Sequence, residues 1–338
     1  MLARGGGVGS GLNEMPRVSY RPLMPLHTET PLLESRALSL SSGHRVWLKL
    51  DALQPSGSFK LRGIGRACEA YHARGARRFV CSSSGNAGLA VAYAGRALGA
   101  AVTVVVPVTA TEQAKDLLRL EGAEVIVHGA SWQEANELAL SEVGPSDAFL
   151  HPFDDPLVWE GHATMIDEIA RVDVRPDAVL LSVGGGGLLC GVAEGMERNG
   201  WGDVPILAVE TEGAASFRAA TEAGQPVEIP AITSIASSLG ARRVADRAVE
   251  WWKARPIQSL VVSDRSALLA CERFLTDQRI LIEPSCGASL APVYERAPEL
   301  EPFRTVLVVV CGGATATIDQ IREWLKGARA GAGQVGSG

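Results

Sequence analysis

Cysteine is scarce in this chain and its pattern excludes two function classes. Cys68, Cys81, Cys190, Cys271, Cys286 and Cys311 lie far apart with no CxxC pair. A disulfide framework and a Cys-rich zinc site are therefore not expected, and a reducing cytoplasm is the expected compartment. Basic charge is not in excess either. Lys+Arg 32 against Asp+Glu 38 leaves a net charge of −6, which argues against a nucleic-acid partner. No apolar run approaches the ~18 residues needed to cross a bilayer, so no membrane partner is expected. The opening MLARGGGVGSGLNEM lacks the apolar stretch of a signal peptide. Histidine pairs at HxH or HxxxH spacing are missing among His27, His44, His72, His128, His151 and His162, which disfavours a transition-metal centre.

What remains is the composition of a folded protein, 46% apolar and 21% charged. At about 150 residues per domain, 338 residues suggest two domains. Strand candidates are 46–50, 79–83, 102–107, 124–128, 178–183, 205–210, 259–263 and 305–311. They are rich in Val, Ile and Leu without strict alternation, as in strands covered on both faces. Helical spacing fills the intervals: Leu61, Ile64, Cys68 and Tyr71 share one face, Thr111 opens another helix, and Ser266 precedes the run ALLACERFL. Strand–helix alternation implies βαβ units and mostly parallel sheets. HPFDDP (151–156) reads as a crossing back from one lobe to the other, with His151, Asp154 and Asp155 fastening the two. Trp251 and Trp252 read as core. The Gly-rich ends read as mobile tails.

Ligands of open α/β sheets bind at the carboxyl ends of strands. Three such ends here carry unusual residues. Gly184, Gly185, Gly186 and Gly187 stand between an apolar strand and the helical run beginning at Leu188, where converging backbone N–H groups suit a phosphate. Neither GxGxxG nor GxxxxGK[ST] is present, which disfavours a nicotinamide dinucleotide or a nucleoside triphosphate. Ser82-Ser83-Ser84-Gly85-Asn86-Ala87-Gly88 offers hydroxyls, an amide and free N–H groups at a helix start. It reads equally as a carboxylate site or as a polar cap. Cys311-Gly312-Gly313 ends the last strand, where a lone Cys reads first as a small buried residue.

Lys60 stands in Pro55-Ser56-Gly57-Ser58-Phe59-Lys60-Leu61-Arg62-Gly63. With Ser56 or Ser58 as cap, Lys60 falls in a first helical turn, where a cation opposes the dipole and its pKa drops. A neutral amine is what covalent carbonyl chemistry needs. An amine, a phosphate cradle and a carboxylate loop together suggest pyridoxal 5'-phosphate and an amino-acid substrate.

These segments resemble the fold-type II pyridoxal-phosphate enzymes, in the serine/threonine dehydratase branch and nearest its liver-type L-serine dehydratases. PSGSFKLRG is similar to the branch's lysine motif, SSSGNAG to its substrate loop, SVGGGGLLCG to its phosphate loop and VVVCGG to its pyridine-nitrogen segment. The resemblance spans roughly residues 20–325. It implies a two-domain α/β fold of parallel twisted sheets flanked by helices, like the tryptophan synthase β chain. The large cofactor-binding domain would comprise 20–51 and 150–328, the small domain 52–149, and the tails 1–19 and 329–338. The implied activity is α,β-elimination of L-serine, with L-threonine, to a 2-oxo acid and ammonia. Lys60 would be the cofactor's covalent attachment point and the base at Cα, and Phe59 would pack beside the ring. Asn86 would bond the ring's 3′ oxygen. Ser83, Ser84, Asn86 and Ala87 would receive the substrate carboxylate, Gly184 to Leu188 the phosphate, and Cys311 would face the pyridine nitrogen.

Two departures bear on function. Ser84 replaces the Ala of the liver-type branch and matches serine racemases, so it could reprotonate Cα and add minor racemase activity, although it reads first as a hydroxyl that only binds the carboxylate. Glu210 and Ala214 match a metal loop of the superfamily, with Gly184, Leu239 and Ala241 as carbonyl ligands. Racemases have a second carboxylate where this chain has Ser216, and a single carboxylate suits K⁺ over a divalent ion, although Glu210 could simply cap the next turn. The resemblance also implies a homodimer. Rival readings are β-replacement, whose enzymes usually carry a Thr-Ser-Gly-Asn-Thr loop absent here, and a pyridoxal-phosphate-binding regulator, against which Lys60 argues. The chain after about residue 328 is too short for an amino-acid-sensing domain, so feedback by isoleucine is not expected.

Overall fold

Two sheets organise the chain, and the order of their strands decides which loops meet. The computed structural model describes residues 24–332, with side chains to residue 327. The first elements are β1 (Leu32–Glu34), α1 (Arg36–Ser42) and β2 (Arg45–Lys49). After them come α2 (Lys60–Ala73), β3 (Arg78–Cys81), α3 (Asn86–Leu98), β4 (Ala101–Val106), α4 (Glu112–Leu120), β5 (Glu124–Val127), α5 (Trp132–Ser141) and β6 (Asp147–Phe149). The chain continues through α6 (Pro156–Ala170), β7 (Ala178–Ser182), α7 (Gly187–Arg198), β8 (Ile206–Thr211), α8 (Ser216–Ala223) and α9 (Asp246–Ala254). It ends with β9 (Ile257–Val262), α10 (Asp264–Gln278), α11 (Pro284–Glu295), β10 (Thr305–Val309) and α12 (Ile318–Ala332).

The larger sheet has the order β1-β2-β10-β7-β8-β9 and is parallel except for the edge strand β1. The smaller sheet, β5-β4-β3-β6, is entirely parallel. Helices cover the sheets, and every residue of β7 and β8 is buried, which is why these strands show no polar alternation. Each fully buried Val, Leu or Ile contributes about 1.5–3 kcal/mol by leaving water. The last strand in sequence, β10, lies between β2 and β7, with Val308 beside both Leu48 and Leu180. That placement brings three distant carboxyl ends together: Asp51, the glycine run and Cys311.

All the long apolar runs form strands within two residues of their expected limits. The sequence reading misses β1 and β6, which are three residues each and too short to carry a periodic signal. The cap of α10 is Ser263, whose hydroxyl accepts from the N–H of Ser266, so Ser266 itself lies inside the helix. The tail expected from residue 329 is also revised, because α12 runs to Ala332. The expected tail 1–19 and residues 333–338 lie outside the described residues.

Helices α2 and α6 touch backbone to backbone and tie the two sheets together. A Cβ on Gly161 would stand 2.3 Å from the Arg62 carbonyl oxygen, and one on Gly63 would stand 2.4 Å from that of Val158. Glycine is required at both positions by this approach.

Candidate active site

Lys60 is positioned by main-chain bonds to the end of β10. The N–H of Ala52 donates to Val310 O at 2.8 Å, that of Phe59 to Cys311 O at 2.8 Å, and that of Gly313 to Gly57 O at 3.2 Å. Ser58 and Gly312 form an isolated antiparallel bridge. The loop is thus stitched to the strand end, and Lys60 begins α2. The expected serine cap is corrected: Phe59 occupies the N-cap with no side-chain bond, and the hydroxyls of Ser56 and Ser58 are buried without partners. Ser58 is drawn into the bridge with Gly312 and cannot turn back to the helix.

Among the described residues the Lys60 ammonium meets no carboxylate at hydrogen-bond range. Its Nζ donates to the Pro152 carbonyl at 2.6 Å and lies 5.1 Å from the centroid of the Phe59 ring. Burial pulls its pKa down to about 8, against a smaller upward pull from Cys311 and Glu283.

The Pro152 carbonyl is held by its own turn. His151 Nδ1 accepts from the N–H groups of Phe153 at 3.3 Å and Asp154 at 2.7 Å. Burial, then Lys60, lowers the His151 pKa to about 4, so it stays neutral and able to accept. This changes the expected role of His151, because these bonds are local rather than a tie between lobes. Asp155 does reach across, capping α6 and accepting from Tyr71 Oη of α2 at 2.8 Å.

Phe153 also explains the glycine run. A Cβ on Gly185 would lie 2.3 Å from Phe153 Cγ, and one on Gly187 would lie 2.7 Å from Phe153 O. On the other side, a Cβ on Gly184 would lie 3.0 Å from Leu239 Cα and one on Gly186 2.8 Å from Ala248 Cβ. Gly186 has φ 90 and is the N-cap of α7, with no side chain capping that helix. Uncapped N–H groups at a helix start favour an anion. The nearby Ser182 hydroxyl is buried and unpartnered, and Leu188 is buried.

The loop after β3 reaches the same region through Glu283, whose N–H donates to Gly312 O. Gly85 is the N-cap of α3 and again no side chain caps the helix, so the polar-cap reading of SSSGN fails. Ser83 Oγ instead accepts from the Gly85 N–H at 3.3 Å. Ser84 is half-buried and Ala87 buried on the same loop. Asn86 Nδ2 donates to Glu283 Oε1 at 2.7 Å, while its Oδ1 is buried without a partner. Cys311 is buried, and contact with Cys286, together with burial, pushes its thiol pKa well up. It is therefore a neutral thiol at ordinary pH.

The structure thus brings Phe59, Lys60 and Cys311 together through the main chain and links the Asn86 loop to the same region through Glu283. Sequence reasoning missed Glu283, Pro152 and His151 as site-forming groups. Only Glu283 had a signal, a charged residue opening the otherwise apolar run PSCGASLAPV, and its target lies 197 positions away.

The proposed cation ligands group separately. Glu210 accepts from the N–H of Phe217 at 2.7 Å and of Arg218 at 2.8 Å, so it caps α8. Burial raises its pKa to about 7 against those two bonds. Gly184 adjoins Leu239, the Leu239 carbonyl accepts from Ala241 N–H, and Ala214 N–H donates to Thr211 O. Among the described residues no three His, Cys, Asp or Glu side chains cluster as for a transition metal.

The arrangement fits pyridoxal phosphate. Side chains or backbone close in on all four glycines and leave only backbone for an anion, the Ser182 hydroxyl is buried without a partner, and Lys60 offers a half-buried amine. Comparison with known proteins agrees. The family of pyridoxal-phosphate dependent enzymes matches residues 23–312. The L-serine dehydratase/L-threonine deaminase of Homo sapiens is 48% identical over 309 residues, covering 88% of this chain and 94% of that one. An L-serine dehydratase of Dictyostelium discoideum is 44% identical, covering 89% and 92%. The crystal structure of a fungal L-serine ammonia-lyase from Rhizomucor miehei superposes with a TM-score of 0.85 at 35% identity, covering 90% of this chain and 99% of that one. With its lysine loop bonded to the strand end of Cys311 and its glycine run packed on the turn that holds the lysine amine, the chain belongs to the pyridoxal-phosphate dependent enzymes.

Proposed function

We propose that this protein is an L-serine/L-threonine ammonia-lyase, converting serine to pyruvate and threonine to 2-oxobutanoate with release of ammonia. The observation that carries this reading is the half-buried Lys60 amine, held on the Pro152 carbonyl with no carboxylate of the described residues on it and its pKa lowered to about 8. The names of the relatives supply the substrate class. The reaction balances without a co-reactant, because the water lost at Cβ is regained in the hydrolysis that frees ammonia.

Bound here, pyridoxal phosphate supplies an aldehyde that takes up the substrate amine and a conjugated ring that withdraws electrons from Cα. The backbone at Gly184 to Leu188 would hold its phosphate, Phe59 would pack beside the ring and Asn86 would bond its phenolic oxygen. The Lys60 amine takes the Cα proton, which it can do near neutral pH because burial has lowered its proton affinity. Ser83, Ser84, Asn86 and Ala87 orient the substrate carboxylate at the start of α3, where the helix dipole favours an anion. The neutral Cys311 thiol would face the pyridine nitrogen without the charge an Asp would bring. That limits delocalisation and favours departure of the β-hydroxyl over transamination.

The test is to supply the purified protein with pyridoxal phosphate and L-serine or L-threonine, then measure 2-oxo acid and ammonia. Equal amounts of the two products are expected, and none from either substrate overturns the reading.

The reading extends to a monovalent cation, K⁺, near Glu210, Ala214, Gly184, Leu239 and Ala241. Its support is the Ser216 hydroxyl, buried and unpartnered at the start of the helix that Glu210 caps. Equal activity in K⁺ and tetramethylammonium buffers would remove this part. It extends also to a homodimer working in the cytoplasm, a compartment that suits six unpaired, buried thiols. Sedimentation tests the dimer.

A further inference from the structure

We propose that Glu283 is a positioning residue: its carboxylate holds the Asn86 carboxamide across the cleft, so that a fixed amide edge faces the cofactor. The proposal deepens the pyridoxal-phosphate lyase reading and rests on it. Three observations carry it. Glu283 is the N-cap residue of α11, yet its side chain makes no capping bond. Its two oxygens turn into the cleft instead, Oε1 accepting from Asn86 Nδ2 and Oε2 from Thr315 Oγ1, each at 2.7 Å. Among the described residues no cation forms a salt bridge with it, Lys60 acting on it only from longer range, although it is only 4% exposed. A buried carboxylate without a cation is costly, and a smaller polar residue could cap α11 at less expense.

Asn86 shows the complementary anomaly. It opens α3 from the small sheet, and its carboxamide does nothing for that helix. One amide hydrogen goes to Glu283, while Oδ1 is buried without a partner and Ser238 Oγ lies 3.5 Å from Nδ2. An amide that rotated freely could present either oxygen or nitrogen to a ligand. An acceptor on Nδ2 removes that freedom. The other amide hydrogen has only the long bond to Ser238 Oγ at 3.5 Å, which an oxygen of the bound cofactor would replace, and the two sheets are linked through the group that reads it.

The experiment uses holoenzyme of the parent, Glu283→Gln and Glu283→Met. Glutamine keeps an acceptor for Asn86, whereas methionine keeps the volume and removes it. Measured are the cofactor dissociation constant, by titrating resolved protein with pyridoxal phosphate, the visible absorption maximum, and kcat and KM separately. Glu283→Met is expected to bind cofactor about tenfold more weakly, the worth of one hydrogen bond to a charged group. Its absorption band should shift, and kcat should fall more than KM rises. Glu283→Gln should stay within about threefold of the parent, the acceptor being kept. In an Asn86→Ala background, Glu283→Met should add nothing further to the spectrum. Should Glu283→Met fail to fold, Glu283→Ala takes its place in the same comparison. A folded acceptor-less variant with parental affinity and absorption overturns the proposal. So does Glu283→Gln losing as much as Glu283→Met, or the two variants lowering only the melting temperature. The binding and spectral measurements need no turnover, so a parent that binds cofactor but yields no 2-oxo acid overturns the lyase reading alone.

Discussion

Two cations two residues apart on α2, Arg62 fully buried and Lys60 half-buried, live opposite lives. Arg62 is satisfied at all three nitrogens: Nε donates to Asp51 at 2.6 Å, and the terminal nitrogens donate to Asp51, Glu168, Thr164 and Thr30. Lys49 joins the same network through Glu168. Burial alone would lower the Arg62 pKa, but Asp51 and Glu168 outweigh it and raise it further. Lys60 has one carbonyl and no carboxylate, and burial wins. The lesson is that burial by itself does not make a cation reactive. Burial with compensation builds a rigid clamp on α2, and burial without it leaves an amine ready to lose its proton.

The comparison breaks most sharply at Lys60. Lys60→Ala should lower 2-oxo acid formation by at least about a thousandfold, as loss of a covalent catalytic group does, while the melting temperature of the cofactor-free protein stays level or rises. Unchanged turnover would erase the contrast. Arg62→Met should do the reverse and cost about 3–5 kcal/mol in urea unfolding, because Asp51 and Glu168 lose their partner. A loss under about 1 kcal/mol, the range of exposed pairs, would place the clamp among ordinary surface pairs.

A smaller effect separates the two by pH. The folded-state pKa of Lys60, about 8, lies below its ordinary 10.5. Between those values the unfolded chain binds more protons, so this residue makes stability rise with pH across that window. Cofactor-free parent should therefore gain on Lys60→Met between pH 8 and 10.5, read as the difference in their urea midpoints. A constant difference would mean that burial does not shift the amine. The smallest effect concerns Ser84. With L-serine in heavy water, neither parent protein nor Ser84→Ala should form D-serine, as expected of a hydroxyl that only binds the carboxylate; D-serine from the parent alone would assign Ser84 the reprotonation of Cα.

Legibility followed range. The parallel α/β class was readable because strands buried on both faces need continuous Val, Ile and Leu, whatever their partners. β1 and β6 escaped because three residues hold no period and borrow their conformation from a neighbouring strand. Lys60, the glycine run, Asn86 and Cys311 could be singled out because they stand at strand ends or helix starts, while the roles of Asn86 and Cys311 came only from the family resemblance. His151 and Glu283 were not, because their work is done on partners that adjacency alone or a fold-level encounter supplies. Ser56 and Ser58 misled the reading, since a serine before a helix signals a cap only when no competing strand claims its backbone.

By itself the sequence determined the elements and the kinds of groups available: short-range sterics, solvent-driven burial and the valence of an amine, a thiol and a glycine need no knowledge of distant residues. Only the tertiary structure decided which groups meet. Insertion of β10 between β2 and β7 set Lys60 beside Cys311 and brought Glu283 to Asn86, and it left one of two neighbouring cations with carboxylates and the other without. Proton affinity depends on surroundings within a few ångströms, and those surroundings exist only once the chain has packed.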